Sequence, residues 1–165
     1  MASERAELQG ALVQEMPWYV SAAVRYQIAV ADQLGMPLTD IHAISALLEI
    51  GPAGARQLAD LMGMTTGAVT RLVDRLERAG YVRREPDPAD RRRIVIQVVP
   101  ERVADIAQYY ESMDTRWQDQ LAGYTNAQLE FLIDFLRQGR HHAQAETTVL
   151  RSKGRPHATR RRRTD

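Results

Sequence analysis

Two short clusters in this chain could do chemistry. Thr65, Thr66 and Thr70 offer hydroxyls that bond phosphate or base edges, and Gly67 among them offers no side chain at all. Arg71 and Arg75 follow, and Arg91, Arg92 and Arg93 stand in a row further on. Guanidinium groups match phosphates and guanine edges in fork geometry. This is the chemistry of anion recognition and not of bond making. Nothing pairs a nucleophile with a base, no glycine loop cradles a phosphate, and Asp87 and Asp90 are close only because they share a turn. An enzyme is therefore not expected. Nor is a metal or cofactor: there are no cysteines, His42 and His157 have no sequence partners, and His141 and His142 are adjacent and so diverge on a helix.

The surrounding pattern shows how those clusters are positioned. Residues 55–62 read as a short helix capped by Gly63. Thr65 is the expected N-cap of a second helix, in which Val69, Leu72, Val73 and Leu76 form a buried stripe and Gly80 marks the end. Thr65, Thr66, Gly67, Thr70, Arg71 and Arg75 lie off that stripe. The period then changes to alternation over 81–85 and 93–98, with turn residues Pro86 to Asp90 between. A helix pair followed by a basic hairpin is a winged helix-turn-helix, whose second helix fits the major groove of DNA and whose hairpin reaches the minor groove. The expected fold class is mainly α with one small β-hairpin, flanked by long N- and C-terminal helices.

Those flanks read as follows. Leu8, Leu12 and Met16 mark a helix near 4–16, and Pro17 kinks it or starts another that runs to about Leu34. A helix near 39–50 sets Ile41, Ile44, Leu47 and Leu48 on one face and stops at Gly51-Pro52. Pro100 opens a helix expected to reach about Ala122, with Val103, Ile106, Tyr110, Met113, Trp117 and Leu121 along one seam. Thr125 and Gln128 form a capping box for the last helix, whose stripe is Leu129, Leu132, Ile133 and Leu136. Phe131 and Phe135 fall on an adjoining face. A helix with that much apolar width calls for burial from two sides, which a second subunit can supply.

Composition agrees with a folded DNA-binding protein. The chain has 165 residues, 44% of them hydrophobic, a net charge of +1 and no cysteine. The absence of cysteine, of a secretory signal and of an apolar run long enough to span a bilayer leads to the expectation of a cytoplasmic protein without membrane contact. Charge is uneven: residues 54–96 hold nine arginines against six acids, while residues 1–150 as a whole hold 15 basic and 20 acidic side chains. The basic surplus therefore falls on the helix-turn-helix and hairpin.

The run TTGAVTRLVDRLERAGYVRREPDPADRRRIVI resembles the MarR family of bacterial transcriptional regulators through VTRLVDRLE, then AGYV, then DPADRRR. The order of helices around the wing is similar over essentially 1–150. The Leu-Thr-x-x-Gly that commonly follows the family's wing is absent; Val99-Pro100-Glu101-Arg102 stands there instead. The resemblance implies a homodimer that binds a pseudo-palindromic operator in double-stranded DNA and represses nearby genes until a small organic acid, phenol or drug releases it. It implies dimerisation helices in 1–36 and 100–150 around a DNA-binding domain in 37–99. It also implies that Arg92, in the family's Asp-x-Arg pattern, pairs with Asp74 of the recognition helix, which would neutralise an acid that faces DNA. By analogy an effector pocket lies where the flanking helices meet the winged domain, with Tyr26, His42, Tyr110 and Met113 as candidates. Residues 151–165 form a basic tail expected to be disordered, serving either as a phosphate-binding arm or as a solubilising end. The alternative reading is a winged-helix protein-interaction module without DNA binding. The paired basic clusters on helix and wing argue against it.

Overall fold

A computed structural model describes residues 2–153. The elements run α1 (Ala2–Gln33), α2 (Leu38–Ile50), α3 (Ala55–Met62), α4 (Thr66–Arg78), β1 (Val82–Pro86), β2 (Ile94–Val98), α5 (Pro100–Ala107), α6 (Glu111–Leu121) and α7 (Asn126–Ser152). They divide into two compact units, with the boundary after Glu111.

In the first unit the predicted stripe of α4 is the centre of the core. Val69, Leu72, Val73 and Leu76 are buried, and they pack with Ile41, Ile44 and Leu47 of α2, Leu58 of α3, Val82 and Ile96 of the hairpin and Ile106 of α5. Thr65 caps α4 as expected, its hydroxyl accepting from the Ala68 amide at 3.2 Å. Gly63 closes α3 at φ 67°, a left-handed conformation that glycine adopts without strain. At the far end of α4 the Tyr81 amide bonds back to the Leu76 carbonyl at 2.9 Å. That commitment is why β1 begins at Val82, one residue later than the alternation suggests. Antiparallel pairing sets Val82 opposite Val98, Arg84 opposite Ile96 and Pro86 opposite Ile94. Ala53 adds a single bridge to Ile96 on the hairpin's other edge.

One open alternative is resolved and one expectation is corrected. Pro17 does not start a new helix: the N-terminal region is one helix of 32 residues that passes through it. Proline forfeits one intrahelical bond there, and the residues on either side stay helical. The helix opening at Pro100 does not reach Ala122 unbroken. It ends at Ala107, and the amides of Tyr109 and Tyr110 turn back to the Ile106 and Ala107 carbonyls three residues earlier. Burial explains the break: Ile106 is seated in the core and Tyr110 packs against it, whereas α6 buries nothing in its own unit.

In the second unit α7 carries the predicted capping box, with Thr125 accepting from the Gln128 amide and the Gln128 side chain accepting from the Thr125 amide. The helix continues to Ser152, so residues 151 and 152 of the expected tail are helical. Its remainder, with Arg160–Arg163 and His157, lies outside the described residues. Leu129, Leu132 and Phe135 are half-buried. Of the predicted stripe, Ile133 and Leu136 are 46% and 63% exposed, and Phe131 on the adjoining face is 67% exposed.

Leu76 lies at the middle of the core, 1% exposed. Leu76→Ala is expected to cost about 2–5 kcal/mol of unfolding free energy, the usual penalty for a cavity in a packed interior. Denaturant titration of both proteins measures it.

Candidate nucleic-acid interface

The stripe that buries one side of α4 leaves the other outside. Thr65, Thr66, Gly67, Thr70, Arg71 and Arg75 are all exposed. Their hydrogen-bonding roles differ. The Thr65 hydroxyl already accepts from the helix but keeps its proton to donate. The Thr70 hydroxyl spends its proton on the Thr66 carbonyl at 2.9 Å and can offer a partner only lone pairs. Thr66 projects from the first turn, where backbone amides have no intrahelical acceptor. A Cβ built on Gly67 would meet nothing within 4 Å, and the residue has no left-handed φ. Neither packing nor backbone conformation requires glycine there.

The hairpin tip is ordered by two aspartates. The Asp87 carboxylate accepts from the Ala89 amide at 2.9 Å and the Asp90 carboxylate from the Arg92 amide at 3.1 Å. Backbone bonds from Asp87 to Arg93 and from Arg93 to Asp90 close the turn. Arg91, Arg92 and Arg93 are exposed on it. Their guanidinium groups can reach outward because the acids beneath them are engaged by backbone.

The expected Asp74–Arg92 pair is not formed. Asp74 is held by Arg84 of β1 at 2.6 Å, and the same guanidinium grips Glu77. The Glu77 carboxylate also accepts from the Arg84 amide at 3.1 Å. Strand register accounts for this. Arg84 lies two residues from buried Val82 and opposite buried Ile96, so its side chain points toward α4, whereas Arg92 belongs to the turn beyond the strands. Partial burial works against the Arg84 charge, but the two carboxylates outweigh it and hold its pKa above the ordinary arginine value. The lock between wing and recognition helix therefore exists with a different arginine, and Arg92 is left for another partner.

Arg75 is also engaged. Its Nε donates to Asp40 Oδ2 at 2.7 Å and its Nη2 to Oδ1. These hydrogen bonds, opposed by partial burial, raise its pKa. Asp40 escaped the sequence reading because an acid in the first turn of α2 looks like ordinary helix-end complementarity. Arg84 could have been found: an arginine on the inward register of a strand needs acids opposite it, and Asp74 and Glu77 supply them one turn apart.

Of the four effector-pocket candidates, two are brought together. Tyr26 and Tyr110 meet edge to face with ring centroids 5.6 Å apart, and the Tyr26 hydroxyl donates to the Tyr109 carbonyl. Burial, with a smaller contribution from Tyr26, raises the Tyr110 pKa. His42 instead bonds Gln27 at 3.2 Å in an open recess that also includes Glu49, Leu61 and Met62. Met113 belongs to the other unit and is half-buried there. Among the described residues no helix is long and apolar enough to cross a membrane.

Known proteins match this architecture. The model of the MarR family matches residues 34–93. YcgE, an uncharacterized HTH-type transcriptional regulator of Bacillus subtilis, is 37% identical over 134 residues, spanning 81% of this chain and 87% of its own. YkoM, another from the same organism, is 26% identical over 67% of this chain and 71% of its own. Among solved structures, a MarR family protein from Bacillus stearothermophilus superposes with a TM-score of 0.61 at 20% identity, over 83% of this chain and 96% of the other. Wild-type MarR from E. coli, in its apo form, gives 0.53 at 19% identity over 78% and 93%. Fold and surface define a winged helix-turn-helix DNA-binding protein. The chain belongs to the MarR family, and it is a DNA-binding transcription regulator.

The two arginines should separate in their effects. Arg84→Ala is expected to lower stability by roughly 1–2 kcal/mol, allowing for solvent screening of a partly exposed cluster. Arg92→Ala should leave the thermal midpoint unchanged within the scatter of ordinary surface substitutions, about ±0.5 kcal/mol. Parallel thermal melts make the comparison.

Proposed function

We propose that this chain acts as a homodimer on a pseudo-palindromic operator, with α4 in the major groove and the wing arginines at the minor groove, and that it represses nearby genes until a small aromatic or acidic molecule releases it. Gly67 carries this reading. Nothing in the chain packs where a side chain at Gly67 would lie. The same holds at Gly10 of α1 and Gly139 of α7, but Gly67 alone of the three lies in the first turn of α4 among the exposed threonines. It costs the helix about 0.5–1 kcal/mol relative to alanine. A partner that approaches the backbone of α4 gives it a purpose, and Thr66 and Arg71 frame that approach. Arg91, Arg92 and Arg93 extend the basic surface to the hairpin tip, where a narrow minor groove attracts guanidinium groups.

Two features support the dimer. In the first unit, α1 exposes Leu8, Leu12, Val13, Trp18, Tyr19 and Val20, with Trp18 at 71%. In the second, α7 exposes Phe131, Ile133 and Leu136. Apolar faces of this extent mark association surfaces. We assign dimerisation to 1–36 and 100–150, and DNA binding to 37–99. A twofold dimer sets its recognition helices about one DNA turn apart, ~10 bp or slightly more. For an effector, the Tyr26–Tyr110 contact and the His42 recess are separate candidate positions, each with aromatic or hydrogen-bonding groups suited to a phenol or an organic acid.

Mobility shift with the DNA upstream of the chain's own gene tests the assignment. Arg92→Ala is expected to weaken the complex by roughly 1–3 kcal/mol per half-site, the cost of losing one groove-reading arginine. Wild-type affinity in that variant would remove the wing from the interface. Gly67→Ala is expected to stabilise the free protein by up to ~1 kcal/mol while weakening its grip on DNA. Unchanged binding in a stabilised variant would remove α4 from the groove. Sedimentation should show a dimer at micromolar concentration; a monomer would contradict the assembly.

A further inference from the structure

Among the described residues Asp40 is the one charged side chain that is fully buried, at 1% exposure. Its partner is half in water, with the Arg75 side chain 44% exposed. An ion pair so placed is a weak source of stability, because a buried carboxylate gives up hydration that an apolar pair would not need. Its distinctive contribution is geometric. Arg75 grips Asp40 side-on through Nε and Nη2, with the Thr39 hydroxyl adding a third bond to the carboxylate at 3.4 Å. That grip leaves Nη1, with two protons, on the opposite edge of the guanidinium. Gly67, Arg71 and Arg75 recur every four residues along α4, so they share one face of the helix.

We infer that Asp40 is a positioning residue for DNA recognition: from α2 it fixes the Arg75 guanidinium so that Nη1 meets a hydrogen-bond acceptor on the duplex. This rests on α4 being the helix that enters the groove. A loose arginine loses rotamer freedom when it binds, whereas one already held does not. The arrangement also has a cost in attraction. Asp40 offsets much of the Arg75 charge, so it weakens the general pull on phosphates. For DNA binding, an acid there helps only if orientation matters more than charge. The acceptor is a phosphate oxygen or the O6/N7 edge of a guanine, and both take the same donor.

The sign of one substitution decides the matter. Asp40→Asn removes a buried negative charge from behind a helix proposed to meet DNA, so charge alone predicts tighter binding to every duplex. Positioning predicts that operator binding weakens at least fivefold. The full-length chain is titrated by mobility shift against its upstream duplex and an unrelated duplex over a range of salt, with thermal midpoints recorded. A loss on both duplexes puts Arg75 on phosphate; a loss confined to the operator puts it on a base edge; either supports the inference. Operator affinity equal to or above wild type overturns it. Arg75→Lys keeps the charge but lacks the fork, and the same loss is expected from it; wild-type affinity in that variant also overturns the inference. The wild-type lane separates this from the DNA reading itself, which fails if the unmodified chain shifts neither duplex.

Discussion

The burial of one stripe on α4 is the constraint on which the rest depends. Val69, Leu72, Val73 and Leu76 lie at the centre of the first unit's core, with elements from α2 to α5 packed around them. Once those four are inside, the rotation of α4 about its axis is set, and with it the identity of every residue on the outer face. Thr66, Gly67, Thr70 and Arg71 are outside because their neighbours in sequence are in. A recognition surface made this way needs no separate device to stay exposed. It does need the helix not to roll or tilt, and apolar packing alone is tolerant of small rotations.

Ion pairs on two sides supply that restraint. Adjacent residues of α4, Asp74 and Arg75, point to different neighbours: Asp74 with Glu77 toward Arg84 of β1, and Arg75 toward Asp40 of α2. Each bond is directional where packing is not. The first ties the hairpin to the helix, so the wing arginines and the first turn of α4 keep a common frame. The second ties the helix to α2. The single Arg84 guanidinium offsets part of the charge of Asp74 and Glu77 before any phosphate approaches, which lessens the repulsion that unpaired carboxylates would add.

Outside this rigid module the chain is long helix with little internal cover. The apolar residues of α1 from Leu8 to Val20 and those of α7 from Phe131 to Leu136 are turned outward in their own units. Such helices are defined by local bonding, capping and length. The contrast between a well-covered winged core and uncovered flanks is what the proposed division of labour requires, with one part reading DNA and the other bringing two copies together.

The type and order of the elements were legible in the sequence because short-range physics governs them. The stripe of α4, the Thr65 cap, Gly63 and the Thr125–Gln128 box each depend on residues within one or two turns of one another. The exposed residues of the proposed interface followed by subtraction from that stripe. Side-chain pairing across elements was not legible to the same degree. Arg84 took Asp74 because strand register aimed it inward, while the family pattern pointed to Arg92. Asp40 met Arg75 across 35 positions of sequence, and no local period announces such a contact. The break after Ala107 likewise came from where Ile106 and Tyr110 found burial and not from any breaker residue. Periodicity and capping therefore determined what the elements are and which faces they show. Only the packed structure decided which charges meet, because a guanidinium chooses among carboxylates by distance and burial, and those exist only after the chain has folded.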